Sequence, residues 1–427
     1  MMRFVSTRGG AEPVSLSGAL LQGIAPDGGL YVPAEWPSFP SRAPAGDLPK
    51  LAATLLADFF AGDELAPQLE SITTAAFTFP APLVNVKNSE ARTLELFHGP
   101  TAAFKDFGAR FLAACMARVQ RSNAKPLHIL VATSGDTGGA VAAAVHRQPG
   151  IRVTVLFPQG MISPAQEHQL TCWGDNVRAL AVHGVFDDCQ RLVKGAFADT
   201  ALNERFQLSS ANSINIARLL PQMVYFAASS LAVWNEQGEP SSFVIPSGNL
   251  GHATACVWAR RLGLPIDQIV IAHNANRTMP DFLATGEWRP SATIATLANA
   301  MDVGDPSNAE RLRHLYPNIA GLRRALTAYA IDDDAIRARI QAGWRDHGAI
   351  WCPHTAAAAE ALARHTQNGA GGNWIIVATA HPAKFREIVE PLIDAPIETP
   401  PALAALPPAQ PADQIDPRLD ALRAAII

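Results

Sequence analysis

Residues 128–148 read HILVATSGDTGGAVAAAVHRQ, which is a β-branched run, then a glycine-rich turn, then an alanine-rich helical segment. The same order recurs downstream, where SFVIP (242–246) leads into SGNLG and NWIIVA (373–378) leads into TAHP. Strands that alternate with helices indicate parallel pairing, because each return to the same sheet needs a long crossover connection. The sequence therefore predicts an α/β fold with doubly wound, largely parallel sheets.

The first and last parts of the chain differ in composition from the segments of alternating strand and helix between them. Residues 1–95 are rich in Pro and Gly and contain one amphipathic segment, LPKLAATLLADFF (48–60), which predicts a separate small helical module. Residues 395–427 are rich in Pro and Ala, which is typical of a linker that leads to a short terminal helix. We therefore expect an N-terminal module (1–95), a core (96–394) and a C-terminal extension (395–427).

The overall composition narrows the class of protein. The chain has 427 residues, of which 48% are hydrophobic, so it is long and apolar enough for a sizeable core. Its 34 basic and 38 acidic residues are well mixed, and no stripe of positive charge is present to bind nucleic acid.

We see no apolar run of membrane-spanning length and no signal peptide, and we expect a cytoplasmic monomer or homodimer. The five scattered cysteines and the missing H-E-x-x-H predict free thiols and no metal site.

Three strand-to-helix turns carry a common chemistry: SGDTGG (134–139), SGNLG (247–251) and TAHP (379–382). Ligands of open α/β sheets bind beyond the carboxyl ends of the strands, where the N–H groups of a helix start attract an anion. None of the turns matches the Walker A loop, G-x-G-x-x-G or G-x-S-x-G, which argues against ATP, dinucleotide and serine-hydrolase sites. Ordinary tight turns remain the alternative for any one of them, because Ser, Asp and Gly also favour helix starts.

Besides the three turns, Lys105 is the second feature of the sequence that indicates a ligand site. Only six of the 34 basic residues are lysines, yet Lys105 lies between Phe104 and Asp106 at the start of an apolar helix. A desolvated amine near a positive helix terminus has a lowered pKa, which favours the nucleophilic free amine. A lysine that extends from a helix end into solvent is the alternative. A reactive lysine, a phosphate-binding loop and a hydroxyl at a third strand end together match what pyridoxal phosphate requires.

A family resemblance covers residues 3 to 390 and follows the motifs VSTRGG, LQGIAPDGGLYVP, ELFHGPTAAFKDFGARF, ATSGDTGGAV, ISPAQEHQ, SSANSINIARLLPQ, IPSGNLGHATA, NAMDVGDPSN and TAHPAKF. In this content and order the chain resembles the threonine synthases of the longer class, which belong to the fold-type II pyridoxal-phosphate enzymes. The resemblance implies that the core consists of two α/β lobes with the cofactor in the cleft between them.

The resemblance also implies roles for individual residues. Lys105 corresponds to the lysine that binds the cofactor covalently and acts in catalysis. The residues implied to bind the cofactor phosphate and ring nitrogen are Ser247, Gly248, Asn249, Leu250, Gly251 and Thr379. Those implied to bind the substrate are Thr133, Ser134, Gly135, Asp136, Thr137, Asn212 and Asn215. The implied reaction converts O-phospho-L-homoserine and water to L-threonine and phosphate by γ-elimination and then β-addition of water, the last step of threonine biosynthesis.

Several alternatives stay open at the level of sequence. A related phospho-lyase would stop at 2-oxobutanoate, a threonine or serine dehydratase shares the fold, and a non-catalytic protein could retain it. Met161 stands where the family often has a basic residue, which we interpret as the loss of a solvated surface charge. Three histidines in family motifs, His98, His354 and His381, are interpreted as hydrogen-bonding scaffold and not as proton carriers.

Overall fold

A computed structural model describes residues 1–39, 47–119, 125–367, 369 and 371–426. In chain order its strands are β1 (Phe4–Ser6), β2 (Tyr31–Pro33), β3 (Leu83–Asn85), β4 (Arg92–Glu95), β5 (Leu127–Ala132), β6 (Ile151–Pro158), β7 (Val177–Val182), β8 (Gln207–Ser210), β9 (Ser241–Pro246), β10 (Ile266–His273), β11 (Thr327–Ala330), β12 (Asn373–Ala378) and β13 (Asp413–Ile415).

The α-helices of the described residues are α1 (Leu16–Gln22), α2 (Leu48–Leu56), α3 (Leu69–Ala76), α4 (Lys105–Val119), α5 (Asp136–Val145), α6 (Pro164–Thr171), α7 (Phe186–Phe197), α8 (Thr200–Arg205), α9 (Ile216–Leu219), α10 (Gln222–Gln237), α11 (Gly251–Arg261), α12 (Thr278–Thr285), α13 (Ala309–Leu315), α14 (Ile319–Ala325), α15 (Asp333–His347), α16 (Pro353–Thr366), α17 (Arg386–Ile393), α18 (Pro401–Ala404) and α19 (Leu419–Ile426). Short 3₁₀ turns cover Ala57–Phe60, Ala66–Gln68, Asn299–Met301 and Pro382–Phe385.

The larger of two central sheets has the strand order β11-β10-β9-β12-β4-β3. All its neighbours are parallel except the β3–β4 pair at one edge. We call this sheet and its helices the large lobe. The predicted strands at 242–246 and 373–378 correspond to β9 and β12, which confirms the parallel α/β prediction for this part of the chain.

The smaller sheet has the order β13-β7-β6-β5-β8 and is parallel throughout. With its helices it forms the small lobe, and it contains the predicted strand that starts at residue 128, which corresponds to β5. Its edge strand β13 comes from the C-terminal extension, which the sequence predicted to be a linker with one terminal helix. The terminal helix exists as α19, but the linker prediction missed β13 because three residues with one apolar side chain give no strand period.

The N-terminal residues form β1, β2 and α1–α3, and the two strands pair antiparallel. Their apolar side chains share one hydrophobic core with α4. In this core Phe60 packs edge-on against Phe111, and the ring centres of Phe77 and Phe107 lie 5.8 Å apart. The prediction of a separate helical module is therefore corrected to a mixed unit that is packed on α4. Because β3 and β4 hydrogen-bond within the large sheet, we propose that this unit ends between residues 77 and 83 and not at 95.

Among the described residues one helical stretch, Ile216–Gln237, is long and apolar enough to cross a membrane, and 89% of its apolar 18-residue window is buried inside the protein. That degree of burial is what a core helix of this composition shows. The stretch includes α9 and α10, and α10 packs on α2 and α11.

Candidate active site

The three predicted turns meet at one cavity of about 110 Å³ between the two lobes. Each turn follows the carboxyl end of a strand: β5 in the small sheet, and the neighbouring strands β9 and β12 in the large sheet. A wider cleft of about 920 Å³ adjoins the cavity and shares Asn212 and Asn249 with it. The predicted site residues that line the cavity are Lys105, Thr133, Ser134, Asp136, Thr137, Asn212, Ser247, Gly248, Asn249, Leu250, Gly251 and Thr379.

Two predicted substrate residues do not line this cavity. Asn215 is fully buried, and its amide donates to the carbonyls of Leu20 and Ser210 while its Oδ1 accepts from the N–H of Ala217. Asn215 therefore binds the N-terminal unit and caps the start of α9, so its predicted substrate contact is withdrawn. Gly135 lies in the turn with φ +130°, and a Cβ there would approach the side chain of Gln166 to 2.4 Å. Its role is to let the turn form.

Lys105 is the first residue of α4 and faces the cavity. The start of α4 is fixed because Phe104 donates its N–H to the carbonyl of Thr379, and Ala103 forms a bridge with Ala380. Burial lowers the pKa of the Lys105 amine to about 8, although the carboxylate of Asp136 opposes this shift. Enough free amine is therefore present near neutral pH for the lysine to act as a nucleophile or base.

The turn Ser247–Gly251 presents backbone to the cavity. A Cβ on Gly248 would lie 2.5 Å from Cα of Met301 and 2.7 Å from its carbonyl oxygen, so only glycine fits. Leu250 adopts the left-handed conformation, with φ +60°, and directly precedes the eleven-residue helix α11. Together these features aim the N–H groups of a helix start into the cavity, which is the arrangement that binds a phosphate.

His252 and Thr379 have side-chain polar atoms at the cavity that lack a hydrogen-bond partner among the described residues. His252, at the start of α11, is buried and stacked on Phe104 at 4.2 Å, and neither ring nitrogen has a hydrogen-bond partner among the described residues. Thr379 places its hydroxyl at the cavity beyond β12. A nucleophilic amine, a glycine turn at a helix start and a free hydroxyl are the donor set that pyridoxal phosphate needs, so the residues present fit this cofactor.

Arg218 is a cation of the cavity that the sequence reasoning missed. Its guanidinium is buried, lines the cavity and donates to the carbonyl of Ala211, and none of its hydrogen bonds goes to a carboxylate. Burial lowers its pKa to about 10, so it stays charged at neutral pH. Among the described residues the carboxylate of Asp106 acts on this charge, but no carboxylate pairs with it directly. A buried cation without a direct ion pair is suited to receive an anionic group of a ligand. Its position in the SSANSINIARLLPQ motif was the available signal.

A buried ion pair joins the lobes beside Lys105. Lys384, in the turn after β12, donates to Oδ1 of Asp136 at 2.7 Å and to the carbonyl of Thr101 at 2.9 Å. Gln166 adds a bond to the same carboxylate and accepts one from Asn299 of the large lobe. Burial alone would raise the pKa of Asp136, but the charges of Lys384 and Lys105 outweigh it and hold the pKa well below its usual range. We call the Asp136–Lys384 pair the lobe clasp.

Replacing Lys384 by Met should lower the free energy of unfolding by about 3–5 kcal/mol, because it leaves the Asp136 charge buried without its partner. Urea unfolding of the purified protein measures this loss. The matched control is Lys50→Met, which removes an exposed lysine from its surface pair with Asp47 and should change nothing measurable. Equal stability of the two variants would contradict the structural importance of the clasp.

The remaining predicted features agree with their interpretation as scaffold or surface. His354 accepts a hydrogen bond from the N–H of Ala300, and His381 accepts one from Ala383. Burial lowers the pKa of each of these histidines to about 4, so both are neutral at physiological pH. His98 contacts Glu95 near the surface, and Met161 is half exposed. All five cysteines are buried and free, as predicted.

Comparison with known proteins gives consistent matches along the chain. Residues 3–77 match the threonine synthase N terminus, 79–380 the pyridoxal-phosphate dependent enzymes, and 355–426 the threonine synthase C-terminal family. Threonine synthase of Escherichia coli is 41% identical over 409 residues, which cover 94% of each chain. The crystal structure of pyridoxal-phosphate-bound threonine synthase from Brucella melitensis superposes with a TM-score of 0.91 at 33% identity, covering 100% of this chain and 98% of that one. The crystal structure of the yeast enzyme superposes with a TM-score of 0.89 at 29% identity, covering 99% and 98%.

Proposed function

Because the chain belongs to the threonine synthase family and is a pyridoxal-phosphate-dependent lyase, we propose that it converts O-phospho-L-homoserine and water to L-threonine and phosphate, with Lys105 as the catalytic residue. The observation that carries this proposal is the lysine amine of lowered pKa at a cavity that all three strand-end turns line. The family acts on a small molecule; the identity of that molecule as the phosphorylated amino acid is the proposed part.

The residues that would hold the cofactor follow from the fit of the cavity. The N–H groups of Ser247–Gly251 would bind the cofactor phosphate, the hydroxyl of Thr379 would meet the ring nitrogen, and Lys105 would hold the cofactor through its amine. When bound, pyridoxal phosphate supplies an electron sink that makes the hydrogens on Cα and then on Cβ of the substrate acidic.

The substrate carries two anionic groups, a carboxylate and a phosphate, and the chain offers two places for them. The hydroxyls of Ser134 and Thr137 and the N–H groups at the start of α5 suit the carboxylate. Thr133 instead keeps its hydroxyl within the turn, where it accepts from the N–H groups of Gly135 and Gly138. Arg218, with Asn212 beside it, would receive the phosphate, because it is the buried guanidinium of the cavity without a carboxylate partner.

Lys105 would move the protons. Once released by the substrate amine, its Nζ would accept the proton from Cα and later serve Cβ, because a pKa of about 8 leaves it ready for both directions of transfer near neutral pH. His354 and His381 are both neutral because burial lowers their pKa values to about 4, so neither would compete with Lys105 for these protons. The lobe clasp would keep the cleft closed while water adds at Cβ, which separates threonine formation from plain elimination.

A product assay tests the proposal. With O-phospho-L-homoserine as substrate, inorganic phosphate and threonine should form in equal amounts. Phosphate accompanied by 2-oxobutanoate would identify a phospho-lyase, and turnover of threonine or serine without phosphorylated substrate would identify a dehydratase.

Neutralising the clasp should shift the products. Asp136→Asn keeps the shape of the side chain but removes the charge that attracts Lys384, so closure weakens and the intermediate is hydrolysed earlier. We expect the ratio of 2-oxobutanoate to threonine to rise severalfold. Asp175→Asn, which removes an exposed carboxylate of the same lobe, is the control and should behave like the wild type. An unchanged ratio in Asp136→Asn would show that the clasp does not govern closure.

A further inference from the structure

Arg311 is a fully buried cation on α13 that lies outside the cavity and the wider cleft. Its Nε donates to the carbonyl of Tyr31 at 3.0 Å, and its Nη2 donates to the carbonyl of Ile214 at 2.7 Å. Its Nη1 donates to Oδ1 of Asn308 and, at 3.4 Å, to the carbonyl of Ser213. One guanidinium therefore joins strand β2 of the N-terminal unit, the loop before α9 and the start of α13.

Asn308 extends these contacts to the turn Ser247–Gly251. Its Nδ2 donates to the carbonyl of Asn249 at 3.0 Å and to the hydroxyl of Ser213 at 3.3 Å. Asn249 in turn donates from Nδ2 to the hydroxyl of Ser213 at 2.7 Å, and its Oδ1 accepts from the N–H of Ser307 at 2.6 Å. Both the backbone and the side chain of Asn249 are thus fixed by residues that Arg311 orients.

The adjacent residue, Glu310, makes a second and separate contact with the N-terminal unit. Its carboxylate accepts from the hydroxyl of Thr7 at 2.6 Å and from both Nε and Nη2 of Arg8. This contact is partly exposed and has no hydrogen bond to Asn308 or Asn249. The charge of Glu310 also acts on Arg311, so the matched comparison is to break this contact from the side of Arg8. Arg8 ties the same two parts of the chain together without reaching the turn.

We propose that Arg311 is a positioning residue that links the docking of the N-terminal unit to the grip on the cofactor phosphate. The link runs from Tyr31 through Arg311 and Asn308 to Asn249, and it rests on the proposed role of Ser247–Gly251 as the phosphate-binding turn. A planar guanidinium serves these acceptors at once, whereas a lysine ammonium is a point donor that cannot reach them all.

The test compares the binding of pyridoxal phosphate with that of pyridoxal, which has no phosphate group. Apo-protein carrying Arg311→Lys should bind pyridoxal phosphate roughly tenfold more weakly or worse, because a buried charge-assisted network is broken. Its affinity for pyridoxal should stay within about twofold of the wild type, because the cavity around Lys105 is unchanged. A merely structural loss would weaken the binding of both compounds.

Two further variants make the test decisive. Asn308→Ala keeps the bonds of Arg311 to the backbone carbonyls but removes the side-chain bonds of Asn308 to Asn249 and Ser213. Only the 3.4 Å bond from the backbone N–H of Asn308 to Asn249 is left, so the variant should reproduce the selective loss even if Arg311→Lys does not fold. Arg8→Gln, which breaks the pair with Glu310 and keeps the charge beside Arg311, should leave both affinities unchanged. The inference is overturned if Asn308→Ala and Arg311→Lys keep wild-type affinity for pyridoxal phosphate, or lose both compounds equally. A wild type that binds both compounds equally well would instead refute the proposed phosphate turn.

Discussion

Replacing Lys105 by alanine is expected to remove the near-visible absorbance of the purified enzyme and to lower threonine formation on the order of a thousandfold or more, because we propose that this one amine both holds the cofactor and transfers protons. No other lysine of the described residues lines the 110 Å³ cavity, so no neighbour can replace it. Lys384 is the nearest candidate in the fold, but its amine is already bound by Asp136 and Thr101.

Absorbance spectra and product assays of the purified variants measure this effect. Lys87→Ala changes an exposed lysine and serves as the control, which should keep both the absorbance and the activity. A Lys105→Ala protein that kept the absorbance band after dialysis would place the cofactor on another residue.

Replacing Gly248 by valine is expected to cost at least tenfold, and up to about a hundredfold, in affinity for pyridoxal phosphate. The reason is steric. The added Cβ would lie 2.5 Å from backbone of Met301, which cannot move aside as the end of a flexible side chain can, so the turn or the 299–305 segment must shift. The N–H groups that we propose bind the cofactor phosphate then lose their alignment.

Gly174→Val provides the comparison, because a Cβ at that position meets only the end of Gln410, at 4.0 Å. Equilibrium dialysis of both apo-proteins against pyridoxal phosphate gives the two dissociation constants. If Gly248→Val bound the cofactor as tightly as Gly174→Val, the phosphate would have to bind elsewhere.

The strand-to-helix turns could be predicted from the sequence because their signal is local. The runs at 128–132, 242–246 and 373–378 are buried strands, and residues of the turns after them, including Ser134, Gly248 and Thr379, line the cavity. β8 and β13 escaped prediction because each has at most four residues and few apolar side chains, and their pairing is decided by the neighbouring strand. The shared core of the N-terminal unit also escaped, because an amphipathic pattern shows that a face is buried but not against what.

Lys384, Arg218 and Arg311 show the same limit in and around the site. Each is a buried cation. Lys384 binds Asp136 and Arg311 binds the carbonyl of Tyr31, both far away in the chain, while Arg218 lines the cavity. Sequence alone identifies a cation but gives neither its burial nor its acceptors. Asn215 illustrates the reverse error, since a polar residue in a site motif is used for packing the scaffold.

The most direct test of the central claim is to incubate the wild-type enzyme with O-phospho-L-homoserine in water labelled with the heavy oxygen isotope and to analyse the products by mass spectrometry. If Lys105 and the closed cleft direct water to Cβ, threonine should carry one label on its β-hydroxyl and should equal the released phosphate in amount. Phosphate released with 2-oxobutanoate and little threonine would contradict the account, because elimination would then end without the addition of water at Cβ.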